Sequence, residues 1–337
     1  MKINKVTIIA EAGVNHNGDI RLAKRLVDIA KDSGADYIKF QAFFSKELVT
    51  SKSKLAKYQE KNLRKKKIKQ FDLLKKLELK KEDYISIINY CNKKKIKYLF
   101  SVFDMNSLNL LLSLGITEIK IPSGEVDNYP LLKLIAEKIR RVFVSTGMCS
   151  LEDVEATIKI LKKYGLKKNN IVIMHCNTDY PTKIKDVNLL AMVAMGIKFK
   201  IGIGYSDHTE GFETAIAAVA LGAKTIEKHI TTNKRLKGPD HAASMEPLVF
   251  KSYIKLIRNT SLLLGAGKKT PTISEKKNMK LVKKSIVANQ NIKKGDIFSE
   301  KNLSCKRPAL GISPYHWKSV LGKKAKKDYK VDDFIIL

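Results

Sequence analysis

Eight short apolar segments, each followed by a stretch with helical spacing, constrain this 337-residue chain more than any other feature. They are Val6–Glu11, Tyr37–Gln41, Tyr98–Val102, Glu118–Ile121, Val142–Thr146, Ile171–His175, Ile201–Tyr205 and Lys224–Ile230. In the intervening stretches Leu22, Leu26 and Ile29 share one helical face, as do Val154, Ile158 and Leu161. Ser150 ahead of Glu152-Asp153, and Asp186 before Val187, read as helix starts. A strand reaches a parallel neighbour only through a crossover, so strand–helix alternation implies βαβ units. Eight of them imply an α/β fold of the (β/α)8 TIM-barrel type. A doubly wound open sheet is the runner-up, but no Gly-rich dinucleotide fingerprint follows the first strand.

The alternation stops after Gly265-Ala266-Gly267. We therefore divide the chain into a catalytic barrel (1–267), a polar, Pro-containing linker (268–282) and a small β-rich module (283–337). In that module Ser285–Ala288 and Asp296–Phe298 read as strands, with a turn at Lys294-Gly295. So short a module is expected to have little core of its own and to lean on another surface. The polar, Lys-rich stretch Thr50–Gln70 reads as a surface excursion beside the barrel mouth.

With 65 basic and 33 acidic residues the formal net charge is +32. Lysines are spread along the chain, as at Lys65-Lys66-Lys67, Lys93-Lys94-Lys95, Lys162-Lys163 and Lys326-Lys327. A dedicated nucleic-acid binder would concentrate them on one stripe with interleaved aromatics, so the composition favours a solvated basic surface and no nucleic-acid partner. A non-catalytic carbohydrate or polyanion binder is the alternative from another class. Cys91, Cys149, Cys176 and Cys305 form no C-x-x-C pair, which fits a reducing, cytoplasmic setting. No run approaches the length of a membrane span, and Val6–Ala10 is too short for a signal-peptide core.

Barrels of this type keep their reactive groups at the carboxyl ends of the strands. Here those ends read Glu11; Lys39 with Gln41; Ser101; Lys120 with Ser123 and Glu125; Ser145 with Thr146; His175 with Asn177; Ser206 with His208; and Glu227 with His229. Side chains alternate faces along a strand, so Lys39 and Gln41 share a face opposite Ile38 and Phe40, and Lys120 is flanked by Ile119 and Ile121. A lysine inside an apolar strand costs several kcal/mol unless partnered. Two of them beside several hydroxyls favour an anion bearing carboxylate and phosphate over purely structural pairing. Glu11, Glu125 and Glu227 supply carboxylates for proton transfer. Ser206 shares a face with His208, and Glu227 with His229, so two imidazoles form a half-filled site for a divalent metal. Together these groups suit carbon–carbon bond formation on a phosphorylated enol. A metal-dependent hydrolase competes, yet the first strand ends in Ala10-Glu11-Ala12-Gly13 rather than in a His-x-His pair.

Ile9-Ala10-Glu11-Ala12-Gly13-Val14-Asn15-His16-Asn17-Gly18, Lys120-Ile121-Pro122-Ser123-Gly124-Glu125, Ser145-Thr146-Gly147-Met148, His175-Cys176-Asn177-Thr178-Asp179-Tyr180-Pro181-Thr182, Ser206-Asp207-His208-Thr209 and Glu227-Lys228-His229 resemble, in order and spacing, the sialic acid synthase family, which includes N-acetylneuraminate and legionaminate synthases. Lys306-Arg307-Pro308 resembles the family's C-terminal antifreeze-like (SAF) domain. The resemblance implies a transferase that condenses phosphoenolpyruvate with an N-acetylmannosamine-type sugar to a nine-carbon 2-keto sugar acid and phosphate. It implies Mn²⁺ or Mg²⁺ and a homodimer with domain-swapped SAF domains. His208 and His229 match its metal ligands. Lys39, Lys120, Ser123 and Ser206 match the positions that hold phosphoenolpyruvate, with Ser101 at the third strand. Glu11 and Glu125 match the acid/base groups, and Glu227 lies beside the metal. Gln41, Tyr180 and Asp240 match sugar-facing positions, and Arg307 matches an arginine that reaches the partner subunit's site.

Three departures stand out. Ser101-Val102-Phe103-Asp104 replaces a Ser-Thr-x-Phe pattern, which removes a hydroxyl at Val102. Ala309 follows Lys-Arg-Pro where glycine is usual, with an altered loop as the expectation. Asn177-Thr178-Asp179-Tyr180 resembles the legionaminate branch, so Thr178 points to a diacetamido sugar, with N-acetylmannosamine as the alternative. His16 reads as a residue that orders the first loop, with a direct catalytic role as the sharper option. His175 is open between a site role and a satisfied strand-end histidine, and His241 and His316 carry no signal.

Overall fold

The computed structural model describes residues 5–50, 52–55, 60 and 69–337. Strands β1 (Thr7–Gly13), β2 (Tyr37–Ala42), β3 (Lys97–Val102), β4 (Glu118–Ile121), β5 (Arg141–Ser145), β6 (Ile171–His175), β7 (Gly202–Asp207) and β8 (Thr225–His229) close into a parallel barrel in sequence order. Closure removes the open-sheet alternative. The strands are buried almost end to end, as expected of a parallel sheet covered by helices.

Helices follow the strands. They are α1 (Ile20–Ser33), α2 (Ser45–Leu48), α3 (Gln70–Leu77), α4 (Lys81–Lys94), α5 (Met105–Ser113) and α6 (Tyr129–Lys138). After β5 come α7 (Leu151–Lys163), α8 (Leu189–Phe199), α9 (Glu213–Ala220) and α10 (Pro247–Leu263). α7 starts as its sequence predicts: Ser150 Oγ accepts from Asp153 N and Asp153 Oδ2 accepts from Ser150 N, a reciprocal cap. α8 does not start at Asp186. The Asp186 carbonyl accepts from Asn177 Nδ2 and the Val187 carbonyl bonds His175 Nε2. Asp186 instead ends a single 3-10 turn (Ile184–Asp186), and the helix begins after Asn188, which is left-handed at φ 50°. The excursion expected at Thr50–Gln70 falls mostly outside the described residues.

Alternation decides which side chains go where. Ile8, Ala10, Ile38, Phe40, Phe100, Ile119, Val142 and Ile173 face the helices and form the main core. Ile9, Tyr37, Leu99, Phe143, Val172 and Met174 have the opposite parity and fill the barrel interior. Register then sets the next layer: Glu11 pairs with Lys39 and with His229, Gln41 with Ser101, Ser101 with Lys120, and Ser206 with Glu227.

An ion pair sits on the outward side of β7 and β8. Asp207 Oδ2 accepts from Lys228 Nζ at 3.0 Å and from Tyr253 OH at 2.8 Å, while Oδ1 accepts from Thr209 N at 2.9 Å. Lys228 Nζ also donates to the Thr209 carbonyl. Both charged side chains are essentially solvent-free.

The chain divides into two compact units, Met1–Ala266 and Gly267–Leu337. In the second, the stretch read as a linker contains helix α11 (Ile273–Val282), capped by Thr272 with Glu275. β9 (Ser285–Ala288) pairs antiparallel with β10 (Leu303–Lys306). Asp296–Phe298 contributes an isolated antiparallel bridge between Ile297 and Lys324, and Phe298 is buried in the core of the unit. The unit is not poor in core: Ile286, Ile292, Phe298, Leu303, Val320, Tyr329 and Ile335 are buried together. Beyond α11, a short helix α12 (Trp317–Val320) completes it. Ala309 is outside the left-handed region, so glycine is not required there. No helix among the described residues is long and apolar enough to cross a membrane.

Removing one partner of a buried pair strands the other charge. Lys228→Met is expected to cost about 3–5 kcal/mol of stability by urea unfolding. A loss within ~0.5 kcal/mol, the scatter of surface substitutions, contradicts the role given to this pair.

Candidate active site

A cavity of about 400 Å³ opens at the carboxyl ends of the barrel strands. Glu11, Lys39, Gln41, Ser101, Lys120, Ser123, Glu125, Thr178, Tyr180, Ser206, His208, Glu227, His229 and Asp240 all line it. Thr146, His175 and Asn177, also read as strand-end groups, do not, and Arg307 belongs to the second unit, where it lies exposed just after β10. Its loop is anchored within that unit by Ser285 Oγ, which donates to the Pro308 carbonyl and accepts from Gly311 N.

The cavity floor is a buried charge cluster. Lys39 Nζ lies 2.8 Å from Glu11 Oε1 and 3.6 Å from Glu227 Oε1, and donates to Ser101 Oγ at 2.7 Å. Lys120 Nζ lies 2.8 Å from Glu227 Oε2. Ser206 Oγ donates to Glu227 Oε1 at 3.0 Å. Gly13 makes room for this arrangement: its φ is +53°, and a Cβ there would sit 3.2 Å from Glu11 Oε1.

The two carboxylates titrate differently. Burial raises the Glu11 carboxyl to about 7 against the opposing pull of Lys39, and its Oε2 is buried without a partner. Burial would also raise Glu227, but the Lys120 and Lys39 ammoniums overcome it and hold that carboxyl well below its ordinary range. Lys39 is pulled down by burial and lifted further by Glu11 and Glu227, so it stays charged. With Glu11 protonated, the floor carries two ammoniums against one carboxylate, a surplus positive charge suited to an anion. Elsewhere at the mouth, burial raises Glu125, partly offset by the Asn128 amide that donates to its Oε2 at 2.7 Å, and burial raises Asp240 to about 6.

His208 and His229 stand side by side, ring centroids 5.6 Å apart. Burial lowers His208 to about 4 and His229 well below its usual value, so both are neutral. His208 Nδ1 lies 2.6 Å from the Asn177 carbonyl, an acceptor only, so that nitrogen carries the proton and Nε2 keeps its lone pair. His229 Nδ1 is buried without a partner. His208 Nε2 lies 3.3 Å from Ser206 Oγ, whose single proton goes to Glu227, so its lone pair stays available, and the two neutral imidazoles fit a divalent cation whose other positions are filled by water or substrate. Among the described residues no group of three or more His, Cys, Asp or Glu side chains converges as a complete metal site. The Tyr180 ring packs on both, 4.2 Å from His208 and 5.7 Å from His229.

Ser123 accepts from Gly147 N at 2.9 Å, and a Cβ on Gly147 would lie 2.3 Å from Thr178 Oγ1. Glycine there lets the β5 loop meet the Thr178 loop. Val102 faces the helices, fully buried, so the third strand offers the cavity only Ser101.

Three histidines resolve differently. His175 belongs to the helix-facing side of β6, where Nε2 bonds the Val187 carbonyl at 2.8 Å; it is a satisfied strand-end histidine. His16 is fully buried and accepts from Gly18 N at 3.0 Å, ordering the first loop. His241, which carried no signal, is buried and bonds Thr231 Oγ1 and Asn17, tying that loop to the segment after β8. Sequence reasoning also missed a run of apolar residues lining one side of the cavity, including Val14, Leu48, Leu74, Leu77 and Phe103. Their only signal was an amphipathic pattern in α3, at the edge of the polar excursion.

Difference infrared spectroscopy checks the split between the carboxylates. Between about pH 5.5 and about pH 8.5 the wild type is expected to lose more protonated-carboxyl absorbance than Glu11→Gln, in which Asp240 still titrates. No such difference between the two proteins contradicts the assignment.

The chain is similar to known proteins along nearly its whole length. The model of the NeuB family matches residues 26–269, and that of the SAF domain matches 283–335. The N,N'-diacetyllegionaminic acid synthase of Campylobacter jejuni is 47% identical over 333 residues, 99% of this chain and 99% of that protein. The protein of the same name from Legionella pneumophila is 41% identical over 319 residues, 94% of this chain and 89% of that protein. Among solved structures, the N-acetylneuraminic acid (sialic acid) synthetase of Leptospira borgpetersenii, in complex with citrate, matches with a TM-score of 0.72 at 35% identity, covering 82% of this chain and 91% of that one.

Proposed function

The chain belongs to the NeuB family, and from that premise we propose that it condenses phosphoenolpyruvate with an acetamido mannose-type sugar and water to a nine-carbon 2-keto sugar acid and phosphate. The observation that carries this reading is the floor of the cavity: Lys39 and Lys120 beside a protonatable Glu11, within the same chamber as two neutral imidazoles. Nearly full-length similarity to two N,N'-diacetyllegionaminic acid synthases supports that acid as the product, with N-acetylneuraminate as the alternative.

Lys39 and Lys120, with Ser101, Ser123 and Ser206, bind the carboxylate and phosphate of phosphoenolpyruvate. Glu11 gains from this arrangement: in its neutral form it does not compete with the incoming anion for Lys39. Glu227 remains ionised and keeps both ammoniums oriented. His208 and His229 would hold Mn²⁺ or Mg²⁺, which would supply Lewis-acid polarisation of the sugar aldehyde. The vinyl carbon of phosphoenolpyruvate attacks that aldehyde carbon, and water adds at C2. Loss of phosphate with its C–O bond then leaves the keto group. Glu11 and Glu125, both raised by burial, move the protons: one to the aldehyde oxygen and one from the attacking water. Gln41, Tyr180, Asp240 and Thr178 face the sugar.

The SAF domain completes the site of the other subunit of a homodimer by presenting Arg307, and the enzyme works in the cytoplasm. The division into barrel (1–267), connecting segment (268–282) and SAF domain (283–337) serves that exchange.

The test is incubation with phosphoenolpyruvate, Mn²⁺ and either sugar, with mass detection of the product. Incorporation of 2,4-diacetamido-2,4,6-trideoxymannose with a higher kcat/KM than N-acetylmannosamine is expected, and Thr178→Asn is expected to shift that ratio by roughly 10- to 200-fold. Phosphate release without consumption of sugar would mean a hydrolase. A chain ending at Gly267 is expected to lose turnover, and full activity in it would remove Arg307 from the site.

A further inference from the structure

The polar cavity has one apolar side that no step of the condensation uses. Leu48 of α2, Leu74 and Leu77 of α3, and Phe103 after β3 line it together with Val14. Val14 and Leu77 also belong, with Phe43, Leu55 and Leu73, to a separate buried cluster, distinct from the barrel core. Leu48, Leu74 and Phe103 pack on that cluster and remain partly exposed to the cavity.

The wall is built rather than draped. Phe103 is held edge-on against Phe43, ring centroids 6.2 Å apart. Asp104 Oδ2 accepts from Phe44 N at 2.8 Å, which joins the β3 loop to the start of α2. Glu78, directly after α3, accepts from Ser45 N at 2.8 Å and from Ser45 Oγ at 2.6 Å, which joins α3 to α2. Three loops are thereby locked into one surface.

A ligand hydroxyl placed against leucine and phenylalanine loses its water without gaining a partner, whereas a methyl group gains by burial. The floor takes the anionic substrate, so the wall is left for the sugar. We propose that this wall is the selectivity face for the acceptor, seating the C6 methyl and the C4 acetamido methyl of a 6-deoxy diacetamido hexose. It rests on the condensing function proposed above and adds which side chains choose the sugar. A fully hydroxylated hexosamine meets the same wall with a hydroxymethyl and a hydroxyl group.

The experiment compares kcat/KM for three acceptors: N-acetylmannosamine, its 6-deoxy analogue, and 2,4-diacetamido-2,4,6-trideoxymannose. In the wild type the values are expected to rise in that order. Leu74→Gln and Phe103→Gln are each expected to lower the preference for the trideoxy sugar over N-acetylmannosamine by on the order of 10-fold, and the volume-conserving Leu74→Met to retain it. Equal losses on all three sugars, or an unchanged ratio in both glutamine variants, would overturn the wall while leaving the condensing function standing. A wild type that prefers N-acetylmannosamine overturns the substrate reading and the wall together.

Discussion

Four buried ionisable groups at the floor of the barrel are what the site is organised around. Taking an ammonium or a carboxylate out of water costs several kcal/mol, and only close, well-placed partners repay it. Glu11, Lys39, Glu227 and Lys120 meet that condition through strand register. β1 sets Glu11 beside Lys39, and β8 closes the barrel by bringing Glu227 under both lysines. An open sheet could not do so, because β1 and β8 would then lie at opposite edges. Closure of the barrel is thus a condition for the chemistry as well as for the core.

Unequal sharing makes the cluster useful. Glu227 has two ammonium partners and stays ionised; Glu11 has one, with an unpartnered oxygen, and titrates near neutrality. Paired carboxyl groups pushed apart in this way divide the work of holding charge from that of moving protons. Behind the two imidazoles a second buried pair repeats the principle on the outward side. Asp207 and Lys228 each precede one of the histidines, and their ion pair joins β7 to β8 immediately beneath them. The polar side chains of β7 and β8 thus alternate between the cavity and the shell.

Much of this was legible in the chain itself. All eight barrel strands are found, displaced by at most two residues at an end. Lys39 and Lys120 stood out because a lysine between isoleucines or phenylalanines needs a reason, and both prove to be buried and paired. His175 could not be placed by sequence. Its face depends on the phase of β6, and one residue separates the cavity from the shell. Asp186 looked like a helix start, but it ends a single 3-10 turn, and the left-handed Asn188 after it sets where the helix begins. The tail's core was underestimated because its buried residues, Ile286, Phe298, Val320, Tyr329 and Ile335, are scattered singly without period.

Periodicity and residue chemistry act locally, so the sequence by itself determined the barrel, the list of polar strand ends and the likeness to a family of condensing enzymes. Tertiary structure decided what depends on distance between remote segments. It chose which glutamate is shared by two lysines and which is left to titrate. It also chose which nitrogen of His208 keeps its lone pair, through the carbonyl of Asn177. The apolar wall of Leu48, Leu74 and Phe103 belongs to the same class. Its members come from α2, α3 and the loop after β3, and no pattern along the chain marks side chains as neighbours across such gaps.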